Sequence, residues 1–421
     1  MERRSFLKGM VAAGTASLLP AGELLQGCTA RGNSPSQGWD FDEVIDRSGT
    51  WSIKWGRAGE GQIPMWIADM DFRTDPAVRD ALAERLRRDV MGYTSTPEEF
   101  VTAIRDWVET THGYPVPREW VNYAPGVITS INQAYLRFSE PGDRIIVQPP
   151  VYDPFKNFAL RLGREVVDNP LVFEDGKYRM DFEGLERLID KRTKAIVLCN
   201  PHNPCGILWD KETLATLAEI CDRHGILVFS DEIHADLALY GRRHTPFCSV
   251  SETAAKVGII FSGPTKAFNL AGLSGTAYCI IPDGDLRNRY VGGLHDAKLS
   301  EASIMSLVAT IAAYTSRTGW LEALKRYLEG NIGLLMDFFK EEIPGITPIR
   351  PEASFLVWLD CRALGLAQDK VLDLFNKDAG VLVNNGASYG TGGEGFVRLN
   401  IGCPRSVLQE ALERIRKAIV H

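Results

Sequence analysis

The sequence predicts an α/β protein: a mostly parallel, doubly wound sheet in a large domain, followed by a smaller α+β domain. Three observations carry this. From about residue 121, short apolar runs of strand length alternate with amphipathic helical stretches. Polar residues of reactive type recur just after those runs, where such a sheet places its ligands. Beyond about residue 300 the alternation gives way to a long helical stretch, then to strands and helices in mixed order.

The 421 residues are enough for two sizeable cores. Apolar content of 45% and charged content of 24% are those of an ordinary globular protein. The net charge of −7 comes with mixed signs and no basic stripe, which argues against a nucleic-acid partner. No apolar run is long enough for an ordinary transmembrane helix. The eight cysteines form no CxxC pair or metal-like cluster, so neither a disulfide framework nor a metal site is expected.

In chain order, Arg3-Arg4-Ser5-Phe6-Leu7-Lys8 and the Ala/Gly-rich run after it resemble a twin-arginine (Tat) export signal of a bacterium. Leu25-Gln26-Gly27-Cys28 resembles a lipoprotein box, with Gln26 in place of the usual small residue. The expectation is a periplasmic protein or a membrane-anchored lipoprotein with its anchor at Cys28. Residues 29–38 read as a tether. Residues 39–75 hold Trp39, Trp51, Trp55 and Trp66, which implies a segment packed on the body. Asp75-Pro76 starts a helix with Val78, Leu82 and Leu86 on its apolar face. Gly92-Tyr93-Thr94 is a turn, and 97–111 a second helix.

Strands are expected at 143–147, 195–199, 226–230, 257–261 and 276–281, with helices at 126–138 and 213–224. The C-terminal part reads as a long helical stretch at 300–341 and strands at 353–360, 381–383 and 395–401. Helices follow at 371–378 and 405–420. The division is a signal and tether over 1–38, an N-terminal segment over 39–90 that packs with the small domain, a large domain over 91–300 and a small domain over 301–421.

The candidate chemistry starts at Lys266, which follows a buried strand and the turn Ser262-Gly263-Pro264-Thr265. Burial lowers the pKa of an ammonium, and a neutral amine attacks aldehydes to form a Schiff base. Hydroxyls of Ser262 and Thr265 can hold a phosphate beside it. Aldehyde and phosphate together point to pyridoxal 5'-phosphate (PLP). Gly126, Val127 and Ile128 open a helix, where backbone N–H groups and the macrodipole favour an anion. Asp231 follows an apolar strand and can keep a pyridine nitrogen protonated; alternatively it caps a helix. Asn203 can donate to a phenolic oxygen, or merely serve a Pro-rich turn. Tyr152 is placed to lie over a ring, or in the core. His234 can reach the same oxygen as Asn203 or support Asp231. Arg398, inside Phe396-Val397-Arg398-Leu399, needs an anion: a substrate carboxylate or an internal Asp or Glu.

Several stretches carry a resemblance. They are Phe41-Asp42 through Arg47, Lys54-Trp55, Met65-Trp66-Ile67-Ala68-Asp69-Met70-Asp71-Phe72, Asn200-Pro201-His202-Asn203-Pro204, Asp231-Glu232-Ile233-His234 and Lys266-Ala267-Phe268-Asn269. Over about residues 40–420 the chain resembles fold-type I PLP enzymes of the class I/II aminotransferase superfamily. Within it, the chain is most similar to the cystathionine β-lyase-like (MalY/PatB) branch. The resemblance implies Lys266 as Schiff-base lysine and acid/base, Asp231 at the pyridine nitrogen, and Asn203 and His234 at the phenolic oxygen. It also implies Tyr152 over the ring and Arg398 on the α-carboxylate. It implies a homodimer, with Tyr93 as phosphate ligand from the neighbouring chain. Trp66 and Tyr123 are taken to line the side-chain pocket. The arginine that aspartate-type aminotransferases carry eight residues after the lysine is Ser274 here. The function expected is β-elimination of cystathionine or other S-substituted L-cysteines to pyruvate, ammonia and a thiol. An aminotransferase, or a non-catalytic binding or scaffold protein on the same fold, are the alternatives.

Overall fold

The computed structural model describes residues 39–420. The twin-arginine stretch, the Cys28 box and the tether lie outside the described residues. Seven strands form the main sheet: β1 (Val121–Ala124), β2 (Arg144–Val147), β3 (Glu165–Asp168), β4 (Thr193–Cys199), β5 (Leu227–Asp231), β6 (Gly258–Ser262) and β7 (Ala277–Ile280). Their order is β1-β7-β6-β5-β4-β2-β3. The five from β3 to β6 pair in parallel, and β7 runs antiparallel to both β6 and β1.

These strands read as unbroken apolar runs because both faces are covered. Side chains alternate between the faces. Ile146, Ile196, Leu198, Val228 and Ile260 join one apolar cluster. Their neighbours Ile145, Val147, Ala195, Val197, Phe229 and Phe261 join the other. In register, the last residue of β5, Asp231, stands between Cys199 of β4 and Phe261 of β6.

A second, four-stranded antiparallel sheet comprises β8 (Thr347–Ile349), β9 (Leu356–Asp360), β10 (Asn384–Asn385) and β11 (Phe396–Asn400), ordered β8-β9-β11-β10. The N-terminal segment joins this region: Ile63–Pro64 pairs in parallel with Val381–Leu382, and the Asn400 N–H donates to Met65 O at 2.9 Å.

Several elements differ from the sequence reading. The long helical stretch expected at 300–341 is divided into two helices, α6 (Ile304–Thr315) and α7 (Trp320–Glu342); the earlier helices include α1 (Pro76–Leu86), α2 (Glu98–Trp107), α3 (Val127–Phe138), α4 (Pro154–Arg161) and α5 (Lys211–His224). The break has a cause. Ser316 Oγ and Thr318 Oγ1 both donate to the Asp75 carboxylate, at 2.6 and 2.9 Å, and Gly319 sits at φ +78°. Val257 ends a short helix, Glu252–Val257, so β6 starts one residue later than expected. The helix expected at 97–111 continues beyond Trp107 as a π-turn, Val108–His112. The 371–378 helix is Gln368–Asp373 followed by a π-turn, Leu374–Asp378. Trp51 and Leu86 are exposed rather than packed on the body. The seven described cysteines are all buried and unpaired.

Candidate active site

The carboxyl ends of β4, β5 and β6 open into a cavity of about 600 Å³. The start of α3, the segment 66–68 and residues of the second sheet close its sides. Of the residues singled out from sequence, Trp66, Gly126, Val127, Ile128, Tyr152, Asn203, Asp231, His234, Thr265, Lys266 and Arg398 line it.

Asp231 is carried by β5 into a site that is 4% exposed. Among the described residues its carboxylate accepts one hydrogen bond, from the Ile233 N–H at 3.1 Å. Among the described residues it has no cation within 4 Å. Burial pushes its carboxyl up to about 7, against that hydrogen bond and the field of Lys266. A carboxylate left in this state is a partner for a buried cation. It does not cap a helix of its own. The next residue is laced to the neighbouring strand instead: the Glu232 N–H donates to Phe261 O, and Ser262 Oγ donates to Glu232 O at 2.9 Å. The Glu232 carboxylate meets His244 Nε2 at 2.8 Å and accepts from the Phe247 N–H.

Lys266 donates to the Ala68 carbonyl at 2.8 Å. Its amine is pushed down to about 8 by burial first and by Arg398 next, with Asp69 and Asp231 opposing. The Ala68 carbonyl is held in place by an elaborate brace. Asn400 Nδ2 donates to Ile67 O and Asp69 O, both at 2.6 Å. Asn269 donates to Met70 O and Phe72 O. Asp71 accepts from Lys54, Trp55 and Arg47 at 2.7, 2.8 and 3.2 Å. The motif residues Arg47, Lys54, Trp55, Asp71 and Asn269 therefore shape the strap that receives Lys266.

Arg398 is 2% exposed on β11. Its two terminal nitrogens donate to Asn203 Oδ1 at 3.0 Å and to Trp66 O at 2.7 Å. Its Nε is buried without a partner, and no carboxylate lies within 4 Å among the described residues. The internal salt bridge allowed by sequence is thus not formed. A buried guanidinium without a counter-charge is a receptor for an anion. His234 Nδ1 is 3.0 Å from Ser354 Oγ, and burial pushes its imidazole down to about 3, so it stays neutral. Tyr152 is partly buried against Phe155, and burial raises its phenol to about 12.

Gly126 precedes α3 at φ +126°, a conformation closed to residues with a Cβ, and no side chain caps the helix. The first-turn N–H groups of α3 are therefore free for an anion. Two of the expected phosphate hydroxyls are spent elsewhere. Ser262 Oγ is buried on Glu232 O and does not line the cavity. Thr265 Oγ1 is bonded to Thr276 O and Oγ1. Thr129 and Ser274 line the cavity as well. Tyr123 does not line it, and its hydroxyl lies close against Gly275. Tyr93 is fully exposed and away from this cavity.

Sequence reasoning missed Tyr389, whose ring lies 5.4 Å from the Arg398 guanidinium and whose hydroxyl accepts from Asn384 Nδ2 at 3.1 Å. It also missed Asp153, beside Tyr152. Position just past the strand β2 was the available signal for Asp153; Tyr389 sits in an aperiodic Gly/Asn/Ser turn that offered none.

Comparisons with known proteins place this geometry. Residues 60–415 match the family described as aminotransferase class I and II. The chain is 42% identical over 386 residues to cystathionine beta-lyase PatB of Bacillus subtilis, covering 90% of this chain and 100% of that one. It is 34% identical over 389 residues to the protein MalY of Escherichia coli, covering 90% and 99%. Among solved structures, cystalysin from Treponema denticola, which contains a pyridoxal 5'-phosphate cofactor, superposes with a TM-score of 0.87 at 33% identity, covering 91% of this chain and 99% of that one.

Proposed function

This chain belongs to the aminotransferase class I and II family, and from its site we propose that it is a PLP-dependent carbon–sulfur β-lyase. It cleaves cystathionine or other S-substituted L-cysteines to pyruvate, ammonia and a thiol. The buried, carboxylate-free guanidinium of Arg398, sharing one cavity with a lysine of lowered pKa and a buried carboxylate, supports a PLP enzyme acting on an amino acid, and the 42% identity to cystathionine beta-lyase PatB carries the lyase reading within that class.

The residues present fit the cofactor. Asp231, raised by burial and lacking a cation, matches a protonated pyridine nitrogen. The uncapped start of α3 behind Gly126, with Thr129 and Ser274, matches a phosphate. Tyr152 and Asn203 line the space between. Bound PLP supplies an aldehyde for amine condensation and a cationic ring that draws electron density from the substrate Cα. Arg398 binds the α-carboxylate, already oriented by Asn203 and Trp66. Lys266 would hold the cofactor, and its amine, near 8, is suited to act as general base for the substrate Cα proton. Asp231 would face the protonated ring nitrogen of the bound cofactor. His234, kept neutral, adds no charge that would oppose it. The net change would be substrate plus water to pyruvate, ammonia and a thiol, with Lys266 taking the Cα proton. Lys266→Ala is expected to abolish pyruvate release and borohydride labelling at that peptide. Near-normal release by this variant would refute the assignment.

Two finer statements belong to the same reading. The enzyme acts as a homodimer with Tyr93 reaching the neighbouring site; exposed Val90, Met91 and Tyr93 in succession, with Trp51 and Ile53, support a covered surface. The enzyme is exported through its twin-arginine segment, as a periplasmic protein or as a lipoprotein anchored at Cys28; the Arg3-Arg4-Ser5-Phe6-Leu7-Lys8 run supports export, and the Leu25-Gln26-Gly27-Cys28 box, with Gln26 in place of a small residue, is the basis for the second form.

A further inference from the structure

Four charged side chains line the cavity: Lys266, Asp231, Arg398 and Asp153. The proposed chemistry uses the first three and leaves Asp153 without a task. Asp153 is partly buried just before α4, yet its side chain makes no cap hydrogen bond to that helix. Its one side-chain partner is Asn157 Nδ2, at 3.1 Å. Among the described residues no Lys, Arg or His nitrogen lies within 4 Å of it. Burial raises its carboxyl, and the field of Arg398 reaches it and opposes that shift.

The rest of the wall near Arg398 is neutral: Tyr389, Asn384 and Ser388. Besides Arg398, the one cation lining the cavity among the described residues is Lys266, which the proposed chemistry engages at the substrate Cα. Once Arg398 holds the α-carboxylate and Lys266 serves Cα, a distal carboxylate on the leaving group meets no further cation and one anion. A distal ammonium meets an underused carboxylate. We propose that Asp153 sets specificity for the leaving group, favouring S-substituted cysteines whose distal end carries an ammonium group. This rests on the lyase reading and deepens it.

The test compares kcat/KM for S-(2-aminoethyl)-L-cysteine and S-propyl-L-cysteine, which differ in the terminal charge, on the holoenzyme. The wild type is expected to prefer the amino substrate by about tenfold, the scale of one partly exposed charge pair. Asp153→Asn removes that preference, and Asp153→Glu retains most of it. An equal ratio in wild type and Asp153→Asn overturns the proposal. Binding of L-lysine against L-norleucine, read from the cofactor absorbance, separates the two readings. Asp153-dependent preference for lysine without turnover of either cysteine supports the role of Asp153 and refutes the lyase. Turnover of both cysteines with no such preference refutes the role and leaves the lyase standing.

Discussion

The strap that receives Lys266 hangs on Asp71, and removing that charge has a calculable cost. Asp71 is buried and accepts from three donors, of which the Lys54 ammonium at 2.7 Å is 1% exposed at its side chain. Breaking a buried pair from one side costs roughly 3–5 kcal/mol, because the other charge stays in place unpaired. In Asp71→Asn, Lys54 keeps the Asp69 carbonyl at 3.2 Å and the Asp69 carboxylate at 3.9 Å. That partial rescue places the cost at the lower end, about 3 kcal/mol. Lys54→Met leaves Asp71 with Arg47 and Trp55, so about 1 kcal/mol is expected. Urea unfolding of the holoenzyme, followed by tryptophan fluorescence and by loss of cofactor signal, measures both. Asp71→Asn should also weaken turnover, since the strap carries the carbonyls that hold Arg398 and Lys266. Wild-type stability in Asp71→Asn, or an equal loss in both variants, would refute the reasoning.

Other outcomes follow from the same geometry. Arg398→Lys keeps a charge but cannot serve Asn203, Trp66 and a carboxylate together; kcat/KM should fall about 100-fold, chiefly through KM, and an unchanged value contradicts the assignment. Gly126→Ala places a Cβ at φ +126°, a strain of about 1–3 kcal/mol, and should raise the PLP dissociation constant of the apoenzyme about tenfold or more; an unchanged constant removes the α3 start from the phosphate site. Lys266 reacts as the neutral amine, and burial lowers its pKa. PLP uptake by the apoenzyme should therefore rise with pH up to about 8 and then level off, whereas a rate still climbing toward pH 10 would mean an unshifted lysine.

Most of the main sheet was legible because its strands are apolar on both faces, and the residues just past them are few and polar. Lys266, Asp231 and Arg398 were legible jointly: a helix cap explains Asp231 alone and an internal salt bridge explains Arg398 alone, but their shared placement beside buried runs points to one site. Ser262 shows the limit. It lies four residues before Lys266 and reads as a phosphate ligand, but its position as the last residue of β6 sends its hydroxyl to Glu232. Only the register of β6 against its neighbours decides that. The break between α6 and α7 was hidden because its cause, Asp75, lies more than 240 residues away in sequence. The bonds from Asn269 and Asn400 to the strap likewise depend on contacts of the N-terminal segment with the loop after β6 and with the second sheet. Composition and periodicity do not report such contacts.

The measurement that tests the central claim most directly is product analysis of the purified holoenzyme with L-cystathionine, with and without a keto-acid acceptor. The account predicts pyruvate, ammonia and a free thiol in equal amounts, at the same rate without acceptor. Turnover that requires the acceptor and converts it to an amino acid would contradict the account and make the enzyme an aminotransferase.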